Sequence, residues 1–144
     1  MEEECKKILW ICYSQMRLMY DIKLDFMSGR LDFIGWSYPE TNFRWSLGNR
    51  SLIEFETRDF TYEGIIRLLL NTLGKQRVRG FLNDTLPTEQ KLEGIDIWME
   101  MRFSPSLLRS NQINQLVFEL PDVRRPDNGD PRVLSIALKK FVLL

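Results

Sequence analysis

Apolar and polar residues alternate along most of this chain with a period of two. In one run Ile95, Ile97, Met99, Met101 and Phe103 take the odd positions, with Asp96, Trp98, Glu100 and Arg102 between them. Successive side chains of an extended backbone point to opposite sides, so such a run is a strand with one face in a core and one in water. The same pattern sets Ile22, Leu24 and Phe26 against Lys23 and Asp25, and Ile53 and Phe55 against Glu54 and Glu56. It also sets Leu116, Phe118 and Leu120 against Val117 and Glu119, while Ile66, Leu68 and Leu70 share a face, as do Leu134, Ile136 and Leu138. Turn-forming residues stand between the runs: Ser28-Gly29, Gly48-Asn49, Asn71 with Gly74, Asn83-Asp84, Ser104-Pro105 and the stretch 127–131. Short strands punctuated in this way predict an all-β fold, an antiparallel two-sheet β-sandwich of the jelly-roll kind.

Two segments depart from this pattern. In 2–20 the residues Ile8, Leu9, Cys12, Met16 and Met19 fall on one helical face behind an acidic start, which predicts a short N-terminal helix, with a strand as the alternative. The stretch SPSLLRSN at 104–111 reads as one helical turn or a wide loop, with Pro105 in a first-turn position after Ser104. No repeat, low-complexity tract or linker divides the 144 residues. One domain over 1–144 is expected, with 1–20 as its N-terminal extension; a chain of this length buries about two-thirds of its unfolded surface.

Composition then narrows the chemistry. Lysine plus arginine and aspartate plus glutamate both number 20, so there is no basic field to favour nucleic acid or an anionic membrane. The chain has no histidine, which removes the commonest general base and the commonest metal ligand. Histidine-dependent isomerases, oxygenases and epimerases of the cupin type are excluded with it. No phosphate loop, dinucleotide fingerprint or nucleophile elbow is present. The two cysteines, Cys5 and Cys12, have neither a metal spacing nor a disulfide framework, and a reducing compartment is the simpler reading. No stretch approaches the roughly 20 apolar residues of a membrane span, and the start MEEECKK is too acidic for a secretory leader. A soluble, cytoplasmic protein is expected.

Two stretches carry candidate chemistry. In 35–52 the aromatic residues Trp36, Tyr38, Phe43 and Trp45 are interleaved with Glu40, Asn42, Arg44 and Asn49. Aromatic faces stack on the apolar C–H face of a pyranose while flanking polar groups bond its hydroxyls, so these residue types suit a sugar platform. Against that stands the core: Trp45, just ahead of a strand, reads as a buried plug, Trp36 is open between core and surface, and Tyr38, in a Ser-Tyr-Pro turn, reads as exposed. In 119–140 the residues Asp122, Arg124, Arg125, Asp127, Asp130 and Arg132 crowd charges of both signs into a proline-punctuated loop. Such a loop can bind hydroxyls, phosphate or a cation, or satisfy itself by pairing its own arginines and aspartates. The DNGD run at 127–130 suggests calcium but lacks the ordered ligands and closing Glu of an EF-hand. Strict alternation aims Trp98 outward beside Asp96, Glu100 and Arg102, which marks a binding face, an oligomer contact or a site covered by the N-terminal segment.

The order of these features resembles a known module. Gly35, Trp36, Ser37, Pro39 and Glu40 are followed by Arg44, Trp45 and Ser46, then Arg77, Val78 and Asn83. The ending carries Pro121, Asp122, Arg124, Pro126, Asp130, Pro131, Arg132, Leu134, Ile136, Ala137 and Leu138. From about residue 22 to 144 the chain is similar to the small β-sandwich domain attached to, or encoded near, bacterial glycosyltransferases and phosphoglycerol transferases of envelope polysaccharide assembly. The resemblance implies a jelly-roll sandwich like carbohydrate-binding modules, and brings no chemistry that can be assigned to particular residues. Residues and resemblance together lead to a non-catalytic carbohydrate-binding module of bacterial surface-glycan biosynthesis, without a cofactor. Its ligand-binding residues are expected to be Trp36, Tyr38, Glu40, Arg44, Trp45, Asp122, Arg124 and Asp130, and its partners a glycan, a glycosyltransferase and a second copy. The alternatives are a structural or oligomerising partner of a glycosyltransferase using the apolar N-terminal segment and Trp98, and a small hydrolase or transferase working with carboxylates such as Glu40 and Asp122.

Overall fold

The computed structural model describes residues 27–57, 64–85 and 88–143. Nine strands form in them: β1 (Met27–Ile34), β2 (Arg44–Trp45), β3 (Arg50–Thr57), β4 (Gly64–Thr72), β5 (Gln76–Leu82), β6 (Thr88–Leu92), β7 (Ile97–Phe103), β8 (Ile113–Glu119) and β9 (Ile136–Leu143). Every pairing is antiparallel. One sheet runs β1-β3-β8-β5-β6 and the other β2-β9-β4-β7. Between β2 and β9 the chain changes sheet at every connection except β5 to β6 and so traces a jelly roll, with β1 added at the edge beside β3. The expected N-terminal helix, the run at Ile22, Leu24 and Phe26, and both cysteines lie outside the described residues.

Alternation places the core where the sequence puts it. Ile53 and Phe55 of β3, Ile66, Leu68 and Leu70 of β4, Met99 of β7, and Leu116 and Phe118 of β8 are all fully buried. Each such side chain contributes roughly 1.5–3 kcal/mol relative to exposure. The two sheets meet across Phe55 and Phe141, whose rings pack edge to face at 5.7 Å. At the β5–β6 turn Asn83 and Asp84 both adopt positive φ (50° and 62°), and Thr85 N–H bonds the Leu82 carbonyl at 3.0 Å. This is the primed turn that matches strand twist. The predicted turn at 104–111 begins as a 3-10 segment, Pro105–Leu107, with Pro in the first turn.

Three local expectations need correction. Ser28-Gly29 is not a turn but part of β1, where pairing with β3 shifts register between Met27 and Leu31. The strand expected from Ile95 starts at Ile97, because Gly94 and Asp96 have positive φ, and Ile95 is left in solvent. In β9 the inward face does not keep one parity. Leu70 pairs Leu138 and Leu69 pairs Lys140, so Lys139 is an extra residue, and the buried set changes from Ile136 and Leu138 to Phe141 and Leu143.

Candidate functional site

The aromatic block folds back on itself ahead of β3. Trp36 bridges Ser46, Ser37 N–H bonds the Trp45 carbonyl at 2.8 Å, and Glu40 and Phe43 exchange both backbone bonds at 2.7 and 2.9 Å. Thr41 and Asn42 form the tip of this hairpin, with Thr41 at φ 47°. Between the Ser37 and Glu40 pairings stand two residues, Tyr38 and Pro39, against the single Arg44 of the other arm. The extra residue throws Tyr38 outward, where it is 90% exposed.

Faces follow from register. Arg44 pairs Leu138, which points into the sandwich, and Arg44 is itself buried with its guanidinium 4.5 Å from the centre of the Phe33 ring. Trp45 pairs Ala137, of opposite parity, and turns to the outer side of the four-stranded sheet, half-buried, with Phe43 edge to face at 6.0 Å. Trp36 is the core plug. It is 7% exposed, its indole N–H donates to the Leu52 carbonyl at 3.1 Å, and its ring packs edge to face against Phe33 and Phe118. The buried role expected of Trp45 therefore belongs to Trp36.

The C-terminal loop reaches this hairpin through one side chain. Arg132 donates from Nη1 and Nη2 to the two oxygens of Glu40 at 3.1 and 3.2 Å. It also donates from Nε to both oxygens of Asp130 at 3.0 Å, and from Nη2 to Asp130 Oδ2 at 2.6 Å. Pairing with both carboxylates raises the Arg132 pKa, and the guanidinium beside Asp130 holds that carboxyl below the usual range. Ser37 completes the joint: its hydroxyl lies 3.1 Å from Glu40 Oε2 and 2.9 Å from the Tyr38 carbonyl, and accepts the Trp45 N–H at 3.0 Å. Glu40 and Phe43, a directly opposed pair, share a hairpin face, and so do Phe43 and Trp45, two apart. An aromatic pair thus adjoins a guanidinium shared between two carboxylates.

The remaining candidates lie elsewhere. Asp122 is clamped by Arg77, accepting its backbone N–H at 2.8 Å, Nε at 3.0 Å and Nη2 at 2.8 Å. These bonds lower its pKa to about 2. Arg124 bridges Leu134 through its backbone, and its guanidinium lies on Gly74, where an added Cβ would come within 2.4 Å of it. Asp122 and Arg124 thus belong to the β4–β5 turn and not to the hairpin. Glu40 and Asp122 serve different arginines and do not form a carboxylate pair. In the DNGD run the Asp130 carboxylate is taken by Arg132, and among the described residues no three His, Cys, Asp or Glu side chains are grouped to hold a metal.

Two features escaped sequence reasoning. Arg132 is the joint between the two stretches, yet it stands 92 residues from Glu40 and no local spacing pairs them. On the outer side of the four-stranded sheet, Lys139 reaches Asp96 at 2.6 Å, and Asp96 N–H bonds Asn71 Oδ1 at 2.9 Å. Trp98, 41% exposed, shares this side with Arg67, whose guanidinium lies 4.4 Å from its ring centre. Its outward direction is the one that alternation required.

No protein-family model matches the chain, and no curated protein matches it. Among solved structures it is similar to a family two carbohydrate esterase from Clostridium thermocellum in complex with cellohexaose, with a TM-score of 0.41 and 9% identity over 78% of this chain and 30% of that one. It is also similar to the Podospora anserina GH26-CBM35 β-(1,4)-mannanase, with a TM-score of 0.41 and 12% identity over 79% of this chain and 26% of that one. The chain spans less than a third of the length of either structure. The functional reading rests on this chain's own site.

Proposed function

We propose that this chain is a non-catalytic carbohydrate-binding module serving bacterial surface-glycan biosynthesis. The observation that carries the reading is the junction of Phe43 and Trp45 with Glu40, Arg132 and Asp130. A half-buried indole offers a stacking face, and the carboxylates and guanidinium beside it offer acceptors and donors to sugar hydroxyls. Tyr38, displaced by the extra residue of the hairpin, stands at the rim. Mutual pairing of the three charged groups fixes their orientation before a ligand arrives, which lowers the ordering cost of binding. Trp36 and Arg44 are buried and pack against Phe33, apart from this aromatic pair. The link to surface-glycan biosynthesis and to a glycosyltransferase partner comes from the sequence resemblance.

Binding to an array of bacterial polysaccharide and oligosaccharide fragments tests the reading. Selective retention is expected, with loss in Trp45→Ala and in Arg132→Gln and partial loss in Tyr38→Ala. A folded protein that retains no fragment, or retention indifferent to Trp45→Ala, refutes it.

A second reading, an oligomerising or partner-binding role, is favoured by Ile95 and Trp98, 75% and 41% exposed at the β7 edge of the four-stranded sheet. Analytical ultracentrifugation of the chain and of Trp98→Ser decides it, since a concentration-dependent dimer lost in the variant supports an interface there and a monomer in both removes it. The hydrolase alternative, which works with Glu40 and Asp122, finds no such support: the two serve different arginines, and Arg77 holds Asp122 ionised, the reverse of what a general acid requires.

A further inference from the structure

A cleft of about 400 Å³ opens where the β4–β5 turn, the end of β6 and the turn after β8 meet, lined by Lys75, Gln76, Arg77, Lys91, Leu92, Glu93 and Asp122. Its charges are arranged against the usual rule of sheets. Arg77 and Lys91 stand directly opposite one another in the β5–β6 register. Like charges in that position repel and are avoided. The next row shows the ordinary solution, where Arg79 faces Glu89 and also pairs Glu119 at 3.0 Å. In the cleft the one carboxylate that answers Arg77 is Asp122, and it engages Nε, Nη2 and the backbone N–H but not Nη1. Lys75 and Lys91 make no ion pair with any described residue, and the Arg124 guanidinium, laid on Gly74 beside Lys75, makes none either. Glu93 is the single remaining acid of the lining.

We propose that this cleft is a second binding site, separate from the aromatic hairpin, for a phosphate-ester group, with Lys75, Lys91 and the free edge of Arg77 as its donors. The donor geometry selects this class. The planar fork of Arg77 that would grip a carboxylate is already spent on Asp122. What remains is the point charges of Lys75 and Lys91, from two segments, beside the free edge of Arg77, which suits the several oxygens of a tetrahedral anion. Gln76, buried behind the opening, fixes the floor by donating to the Leu73 and Asp122 carbonyls at 2.7 and 3.0 Å. Without an anion, Arg77 and Lys91 repel; with one, the repulsion becomes shared attraction.

Amide chemical shifts of the full chain, followed at constant ionic strength during titration with inorganic phosphate, glucose 1-phosphate and glucose, test the proposal. Saturable shifts from at least one phosphate are expected at residues 75–77, 91–93 and 122–124, with glucose silent there. Lys75→Gln/Lys91→Gln should weaken the binding by roughly tenfold or more, as loss of charged hydrogen bonds implies. A preference for glucose 1-phosphate assigns the anion to a sugar phosphate, and equal affinity for inorganic phosphate shows that the charge alone is read. Retention on phosphatidylglycerol vesicles but not phosphatidylcholine ones, lost in the double variant, places the same ester on a lipid headgroup. Silence in all arms, shifts reproduced by sodium chloride, or phosphate binding unchanged in the double variant overturns the proposal. None of these outcomes depends on the glycan array.

Discussion

Gln76→Met should destabilise the protein by about 3 kcal/mol. Gln76 is 1% exposed and uses both ends of its amide: Nε2 donates to the Leu73 and Asp122 carbonyls at 2.7 and 3.0 Å, and Oε1 accepts from the Ser135 hydroxyl at 2.6 Å. Methionine keeps the length and much of the volume, so the change removes bonding with little loss of packing. A buried group left unpaired costs about 1–3 kcal/mol. The fully buried Ser135 hydroxyl bears that cost most directly, and the two carbonyls, on half-buried residues, bear the lower end. At this chain length the loss should lower Tm by about 10 °C. Urea unfolding followed by tryptophan fluorescence measures it, with an unchanged slope showing that the change lies in stability and not in the unfolded state. Gln76→Met/Ser135→Ala removes the stranded hydroxyl and should be about 1 kcal/mol more stable than the sum of the single variants implies. A cost below about 0.5 kcal/mol for the first variant, or strict additivity in the second, refutes this account of the network.

Three further outcomes follow from the same reasoning. Trp36→Ala should cost about 3–5 kcal/mol through lost core packing and the lost bond to Leu52, whereas Trp45→Ala should cost far less stability and remove glycan retention; thermal melts beside the array separate the two roles. Asp122 has its folded pKa lowered from 3.8 to about 2, so its contribution is fully present above about pH 4 and is lost as pH falls toward 2; Asp122→Asn should flatten that part of a urea-midpoint profile, and Asp130→Asn should flatten acid loss in the same direction. Gly74→Ala should destabilise the β4–β5 turn by more than about 1 kcal/mol, since φ is +69° and the new Cβ collides with the Arg124 guanidinium; it should also weaken phosphate binding, and a melt and a titration on one sample check both.

Strand faces were legible because parity is a local property. Ile53 with Phe55, Ile66 with Leu68 and Leu70, Met99 with Met101, and Leu116 with Phe118 and Leu120 are buried as alternation requires. Extra residues were not legible. Nothing in composition marks Lys139 as the residue at which β9 changes face, or Tyr38 as the surplus member of the hairpin. The reading of Trp45 went astray because its side is set by pairing with Ala137, far along the chain, while Trp36, left open by the sequence, takes the buried place. Ion partners were hidden for another reason. Asp122 has Arg124 and Arg125 as chain neighbours but is held by Arg77, 45 residues upstream, because the turn after β8 closes over the start of β5. Crowding of charges in 119–140 was readable; the division of that crowd between the hairpin and the β4–β5 turn depends on sheet order.

The place of β2 in its sheet has a consequence in time. Among the described residues its one neighbour in the sheet is β9, and Ser46 N–H bonds the carbonyl of Ile136 while its hydroxyl accepts the Ile136 N–H, 90 residues away in sequence. Arg132, which fastens Glu40, also lies just ahead of that last strand. During synthesis the aromatic hairpin is made early and waits, tied to β3 through Gly35 and Trp36 but not to its own sheet, until β9 has left the ribosome. The binding proposed for the hairpin is therefore acquired late and all at once, with the arrival of β9. A partly made chain carries the aromatic pair and Glu40 without the Arg132 and Asp130 that hold that carboxylate in place.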